Sequence, residues 1–261
     1  MSNSKLSWNL RRFGLSPQIL KERLLLNTPD HGFFITSQPK SGTHLLERVL
    51  CLMPGIYRPI MRTVNEHNLG RYGGFENIAE SAIHGRLIVS HLHFHPDWAQ
   101  KLSQKQVRSF AMTRDPRAMV LSYVHYVQKR ADHAEHQRLK NLSVEEAINL
   151  LINEKPEDNG ENFITNMNLF AGWTKQPEIF SVRFEDLVGP NREKTVVDIA
   201  NHAGIDLKPE QIDIIVENAF SAASPTFRSG RIDEWKNVLN AKQITKIEDA
   251  TQSAMSHYYS T

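Results

Sequence analysis

Apolar and polar positions change period several times along the chain, and each change marks an element. Short runs rich in β-branched and aromatic residues occur at 32–37 (GFFITS), 86–90 (RLIVS), 108–113 (RSFAMT) and 178–183 (EIFSVR); runs of this kind predict strands. Between most of them the spacing lengthens to that of amphipathic helices, over 43–53, 116–129, 143–154, 161–173, 191–203 and 238–257. In the helix from 191, Val196, Val197, Ile199 and Ala200 group on one face while Arg192, Glu193 and Lys194 stay in water, and Gly204 is a natural stop. Strands alternating with helices predict an α/β fold, a mostly parallel sheet of about five strands covered by helices on both faces. No internal repeat or low-complexity linker interrupts the pattern. Two segments read as irregular, 65–77 with its three glycines and the polar 129–141, and such segments often shape a site.

Length and composition narrow the picture. A chain of 261 residues is read as one domain spanning 1–261. With 40% hydrophobic and 23% charged residues it has the composition of an ordinary soluble globular protein. A net charge of +2 argues against a nucleic-acid partner, while twelve histidines and local basic clusters still allow a pocket for a small anion. The single cysteine, Cys51, excludes an intramolecular disulfide, fits a reducing compartment and sits in an apolar helical context. The N-terminus shows no apolar signal segment, and no apolar run approaches the ~18 residues needed to span a bilayer. The expectation is a soluble cytoplasmic protein with no membrane partner.

Candidate chemistry concentrates at 32–50, GFFITSQPKSGTHLLERVL. A turn between a parallel strand and a helix gathers backbone N–H groups and the positive end of the helix dipole, which suits a phosphate or sulfate. Gly42 lets the backbone approach closely, Ser41, Thr43 and His44 add donors, and Lys40 adds charge. In nucleotide triphosphatases the lysine follows a second glycine and precedes the Ser/Thr that serves Mg²⁺. Here the lysine precedes Ser-Gly-Thr and the upstream glycine is missing, so the order suggests anion binding with Lys40 as principal cation and no required metal. A strand-to-helix turn that merely contains Lys and Gly is the plain alternative. A second candidate is RLIVSHLHFHP, 86–96. An extended backbone there would put His91, His93 and His95 on one face, a possible Zn²⁺ site and hence a metal-dependent hydrolase. A P-loop nucleotide kinase with Mg²⁺-dependent ATP binding is the other rival.

Four segments, in order, resemble the cytosolic-type sulfotransferase family, which takes a sulfuryl group from 3′-phosphoadenosine 5′-phosphosulfate (PAPS) and leaves adenosine 3′,5′-bisphosphate (PAP). Pro39-Lys40-Ser41-Gly42-Thr43 matches the first five positions of the family loop Pro-Lys-Ser-Gly-Thr-Thr-Trp, with His44 and Leu45 departing. TRDPRAMVLSYVHY, 113–126, resembles Arg-Asn-Pro-x-Asp-x-x-x-Ser-Tyr, departing at Asp115 and Ala118. VRFEDL, 182–187, resembles Arg-Tyr-Glu-Asp-Leu, and FRSGRIDEWKN, 227–237, resembles Phe-Arg-Lys-Gly-x-x-Gly-x-Trp-Lys-Asn, with Ser229 in place of the lysine. Ser90-His91-Leu92 also matches the family's Ser/Thr-His-Leu-Pro, with His93 replacing proline.

The resemblance implies a single P-loop-like domain and sulfuryl transfer from PAPS to an acceptor hydroxyl, or an amine, without a metal. It implies that His91 is the general base, since an imidazole accepts a proton near neutral pH, and that Lys40 stabilises charge on the leaving phosphate. Ser122 contacts the 3′-phosphate and restrains Lys40. The backbone of 41–44, including Ser41, Gly42, Thr43 and His44, holds the 5′-phosphate; Arg114, Arg228 and Gly230 hold the 3′-phosphate, with Ser229 beside them; Phe184 lies near adenine. The absence of an extended basic stripe points to a small-molecule acceptor.

Overall fold

The computed structural model describes residues 28–154, 162–220 and 232–259, together with 9–13, Leu15 and Leu20. Its centre is a sheet of four parallel strands, β1 (Phe33–Ser37), β2 (Leu87–Ser90), β3 (Arg108–Thr113) and β4 (Ile179–Arg183), in the order β2-β1-β3-β4. The register sets Ile35 beside Val89 and Phe110, and Phe110 beside Phe180. All five residues of β1 and all four of β2 are buried, as expected of parallel strands covered on both faces, which read as apolar runs rather than as alternation. About five strands are expected from the sequence; four are present among the described residues.

The helices are α1 (Thr43–Leu52), α2 (Gly74–Ser81), α3 (Pro96–Gln104), α4 (Pro116–Lys129), α5 (His136–Leu139), α6 (Val144–Asn153), α7 (Met167–Phe170), α8 (Phe184–Val188), α9 (Arg192–Ala203), α10 (Pro209–Ala219), α11 (Ala241–Ala250) and α12 (Gln252–Tyr259). Phe33, Ile35, Val89, Phe110 and Val182 pack one face of the sheet against Leu46, Val49 and Leu50 of α1 and Val196 and Ile199 of α9. Phe34, Ile88 and Ala111 pack the other face against Ile78 of α2, Leu102 of α3 and Trp173. A third cluster joins Val120, Val124 and Val127 of α4 to Ile148 and Leu151 of α6 and Ile247 of α11. Each large side chain so buried contributes about 1.5–3 kcal/mol relative to exposure. No helix among the described residues is long and apolar enough to cross a membrane.

The expected helices at 43–53, 116–129, 143–154 and 191–203 are found within a residue of their predicted bounds, and Gly204 ends α9 at φ 68°. Two expectations need correction. The helix expected over 161–173 is broken: the buried Asn162 side chain accepts from the Ile164 N–H (2.7 Å) and donates to Leu151 and Glu154 carbonyls, a local alternative to helical bonding, and among the described residues of that range only Met167–Phe170 is α-helical. The helix expected over 238–257 is two, because Asn240 forms a capping box with Gln243 and the first helix closes at Thr251. Helix α2 begins inside 65–77 and α5 lies inside 129–141, the two segments expected to be irregular; α3 and α10 carry no prediction, and each opens with a proline in the first turn, a position where the missing N–H costs nothing.

Candidate active site

The loop from Ser37 to Thr43 leaves the C-terminal end of β1 and enters α1. Its backbone turns through two left-handed residues, Lys40 (φ 76°) and Gly42 (φ 105°). Gly42 is required twice over, since a Cβ there would lie 2.6 Å from the Phe184 ring and 2.7 Å from the Met112 methyl. The Ser41 hydroxyl donates to the Gln38 carbonyl (2.7 Å), and the Thr43 and Ser37 hydroxyls share a 2.6 Å hydrogen bond. These side chains brace the loop where it enters α1, whose first amides have no partner within the helix.

The segments singled out by sequence converge on this loop. Arg114, just beyond β3, donates to the Lys40 carbonyl (3.2 Å) and stacks its guanidinium 4.2 Å from the centroid of Phe184. Phe184, the first residue of α8, is thus held between Arg114 and Gly42. The Asp115 N–H donates to Glu185 (3.2 Å), and the Asp115 carboxylate caps α4 while pairing with Arg117 at 2.7 and 2.9 Å. Arg117 in turn covers the Trp235 ring at 3.9 Å. Pieces from 37–43, 113–126, 182–187 and 232–237 therefore meet along the C-terminal edge of the sheet, where parallel sheets place ligands. Asp115, a departure from the family motif, is explained by its pairing with Arg117. Arg228, Ser229 and Gly230 lie outside the described residues.

His91 follows β2 and reaches the loop from the other side. Its Nδ1 lies 2.7 Å from the Ser37 carbonyl, which can only accept, so Nδ1 carries the proton and Nε2 the lone pair. Burial pushes the imidazole pKa down to about 4; the Ser37 carbonyl opposes this, and the charges of His44, Arg58 and Lys40 add to it. His44, half exposed, has Nδ1 3.3 Å from Glu47 Oε2. Glu47 is 2% exposed and bound by Arg12 and by Arg58 at 2.6 Å. Burial works against its charged form, but the His44 hydrogen bond and the two guanidinium charges hold the carboxyl below its usual range.

The three alternating histidines do not form a cluster. His93 turns to Glu66 (3.6 Å) and sets its ring edge-on to Phe170. His95 instead caps α3, accepting from the Asp97 N–H at 3.3 Å. The backbone beyond Ser90 is not strand, so alternation no longer means a common face, and no group of three or more His, Cys, Asp or Glu side chains among the described residues could hold a metal ion. The metal-hydrolase reading of His91, His93 and His95 has no support from this arrangement.

Sequence reasoning missed two residues beside the loop. Tyr126 of α4 lies under the Lys40 ammonium, with Nζ 3.9 Å from its centroid; helical spacing puts it on one face with Ser122, the only available clue. Gln38, 6% exposed, donates through Nε2 to the Phe163 carbonyl (3.1 Å), and its Oε1 is buried without a donor. It lines a cavity of about 50 Å³ between the loop and Met119, Met167, Phe170 and Trp173.

The fold recurs in solved sulfotransferase structures. A mouse sulfotransferase, SULT7A1, crystallised with PAP, superposes with a TM-score of 0.64 at 18% identity, covering 92% of this chain and 89% of that one. Retinol dehydratase, solved with androsterone and PAP, gives 0.56 at 13% identity over 98% of this chain and 94% of that one; its complex with retinol and PAP gives 0.55 at 14%, over 98% and 95%. A search of curated proteins by sequence gives no match. Residues 30–258 match the family described as the sulfotransferase domain, nearly the whole of the described sheet and its helices. The chain belongs to the sulfotransferase domain family.

Proposed function

We propose that this sulfotransferase moves the sulfuryl group of PAPS to a hydroxyl, or an amine, of a small molecule, with the donor seated on the loop at 39–44. The observation that carries the reading is the convergence of Arg114, Phe184 and His91, from three separate stretches of chain, on the loop that carries Lys40. The first amides of α1 receive the 5′-phosphate, and Arg114 takes the 3′-phosphate, where its planar fork gives paired hydrogen bonds. Arg228 and Gly230 join it, with Ser229 beside them. Ser122 contacts the same phosphate and restrains Lys40. Phe184 serves adenine from beneath the loop.

Neutral His91 takes the acceptor proton on Nε2 as the acceptor oxygen forms its bond to sulfur. The bond from sulfur to the phosphate oxygen breaks, PAP leaves with that electron pair, and Lys40 stabilises the charge gathered on the leaving oxygen. The androsterone and retinol complexes of retinol dehydratase support a small-molecule acceptor here. We further read 1–261 as one domain and its compartment as cytoplasmic, the latter on its lone buried cysteine.

A thermal-shift series tests the reading. PAP is expected to raise the melting temperature, by an amount that grows with the logarithm of its concentration over Kd, ahead of ATP with Mg²⁺ and of Zn²⁺. A larger shift with ATP-Mg²⁺ would favour the kinase reading, and one with Zn²⁺ the hydrolase.

A further inference from the structure

The Lys40 ammonium sits over an aromatic face, Nζ lying 3.9 Å from the centroid of Tyr126. That ring is itself fixed. His133 meets it edge-on at 5.6 Å and meets Tyr123 the same way at 5.7 Å. Tyr123 stacks on Phe163 at 3.9 Å, and the Phe163 carbonyl accepts from Gln38, two residues before Lys40. The contacts close a circuit, so ring and loop share one rigid frame. The Lys40 backbone is fixed as well, held left-handed at φ 76° with its carbonyl taken by Arg114. What remains adjustable is the partner of the ammonium.

We propose that Tyr126 is a positioning residue for Lys40: its ring face seats the ammonium in the donor-free enzyme and yields it to the anionic donor. The inference rests on Lys40 serving the donor as proposed above. A cation attracted to a ring face by the ring's quadrupole must leave that face to meet a phosphate or sulfate oxygen. The seat therefore competes with the donor and lowers its apparent affinity by the fraction of enzyme in the seated state.

The test weakens the ring face at nearly constant shape. Tyr126→Phe is compared with the same position carrying phenylalanine bearing one, two or three ring fluorines, introduced by codon suppression in the full chain. Two quantities are read: acetylation of Lys40 by limiting acetic anhydride, measured by peptide mass spectrometry against Lys194, and calorimetric affinity for PAP. Tyr126→Phe should match wild type within about twofold in both, because the face is kept. Each fluorine should then raise Lys40 acetylation, reaching about fivefold at three, and tighten PAP binding in the same order by about two- to fivefold. Acetylation independent of fluorine number would overturn the seat, and PAP binding that weakens along the series would overturn the competition. Lys40→Met separates this from the functional reading: if it keeps wild-type PAP affinity and turnover, the donor role of Lys40 fails, whereas a flat fluorine series with a crippled Lys40→Met removes only the seat.

Discussion

The loop after β1 and the histidine segment after β2 start alike: each leaves a buried parallel strand and each is dense in groups able to bind a ligand. One converges and the other disperses. Strand β1 is interior, with β2 on one side and β3 on the other, so its loop meets His91 from one neighbour and Arg114 from the next. Strand β2 ends the sheet, its outer side met by isolated bridges from Tyr57 and Val64 rather than by a further strand among the described residues. Only His91, the residue nearest β1, is drawn to the loop, while His93 and His95 are taken by Glu66 and by the start of α3. Position in the sheet decides which letters of a motif become a site.

The largest break in this contrast is expected within the histidine segment. His91→Ala should lower turnover by roughly a thousandfold, within the 10²–10⁴ that a positioned base supplies, and leave PAP affinity within about twofold. His93→Ala should change turnover only a few-fold, since its contacts run to Glu66 and Phe170. Steady-state kinetics with calorimetry reads both, and comparable losses in the two variants would mean that the histidines act together.

Next comes the loop itself. Gly42→Ala adds a Cβ 2.6 Å from Phe184 and 2.7 Å from Met112 at a φ of 105°, so the Phe184 ring, the Met112 side chain or the loop must shift and the left-handed turn is strained. PAP affinity should fall about 100-fold, a loss of about 2.7 kcal/mol, with the far-ultraviolet circular dichroism unchanged. Wild-type affinity in that variant would show that the anion does not sit on this backbone.

Between the two regions lies the lesson of what sequence could tell. All four strands were legible to within a residue: β1 and β2 are buried throughout and read as apolar runs, while β3 and β4, partly open, still carry the aromatic and β-branched residues that mark a strand. Helix α2 was hidden by Gly73 and Gly74, left-handed residues at its start that read as loop, and α3 by Pro96, which opens the helix instead of closing a turn. The loop was legible because its chemistry is local. Tyr126 was not, since its partner Lys40 lies far away along the chain, and neither was the Glu47–Arg58–Arg12 group, which joins three separate segments.

A smaller effect sharpens the contrast through pH. Burial disfavours the imidazolium of His91, so its pKa of about 4 lies below the ordinary ~6.5. The neutral, proton-accepting form then persists as pH falls, and the acid limb of kcat/KM should centre near pH 4. Between pH 7 and 5.5 the rate should drop by less than about 10%, whereas an unshifted imidazole would lose about eightfold. An acid limb near 6.5 would show that His91 titrates in water, away from the Ser37 carbonyl.

The smallest effect belongs to His95, whose ring is 53% exposed and whose Nδ1 accepts from the Asp97 N–H at the start of α3. His95→Ala removes that cap and should cost about 0.5–1 kcal/mol, lowering the melting temperature by about 1–4 °C in a chain of this size, with turnover within about twofold of wild type. His95→Asn should recover the loss, because a short amide caps a helix at least as well as an imidazole. The pair separates a cap from a ligand: a catalytic or metal-binding His95 would lose turnover in both variants, whereas a cap loses stability in one and regains it in the other. Recovery by asparagine, together with the few-fold change expected of His93→Ala, would confine the chemistry of the segment to His91, the residue beside the interior strand.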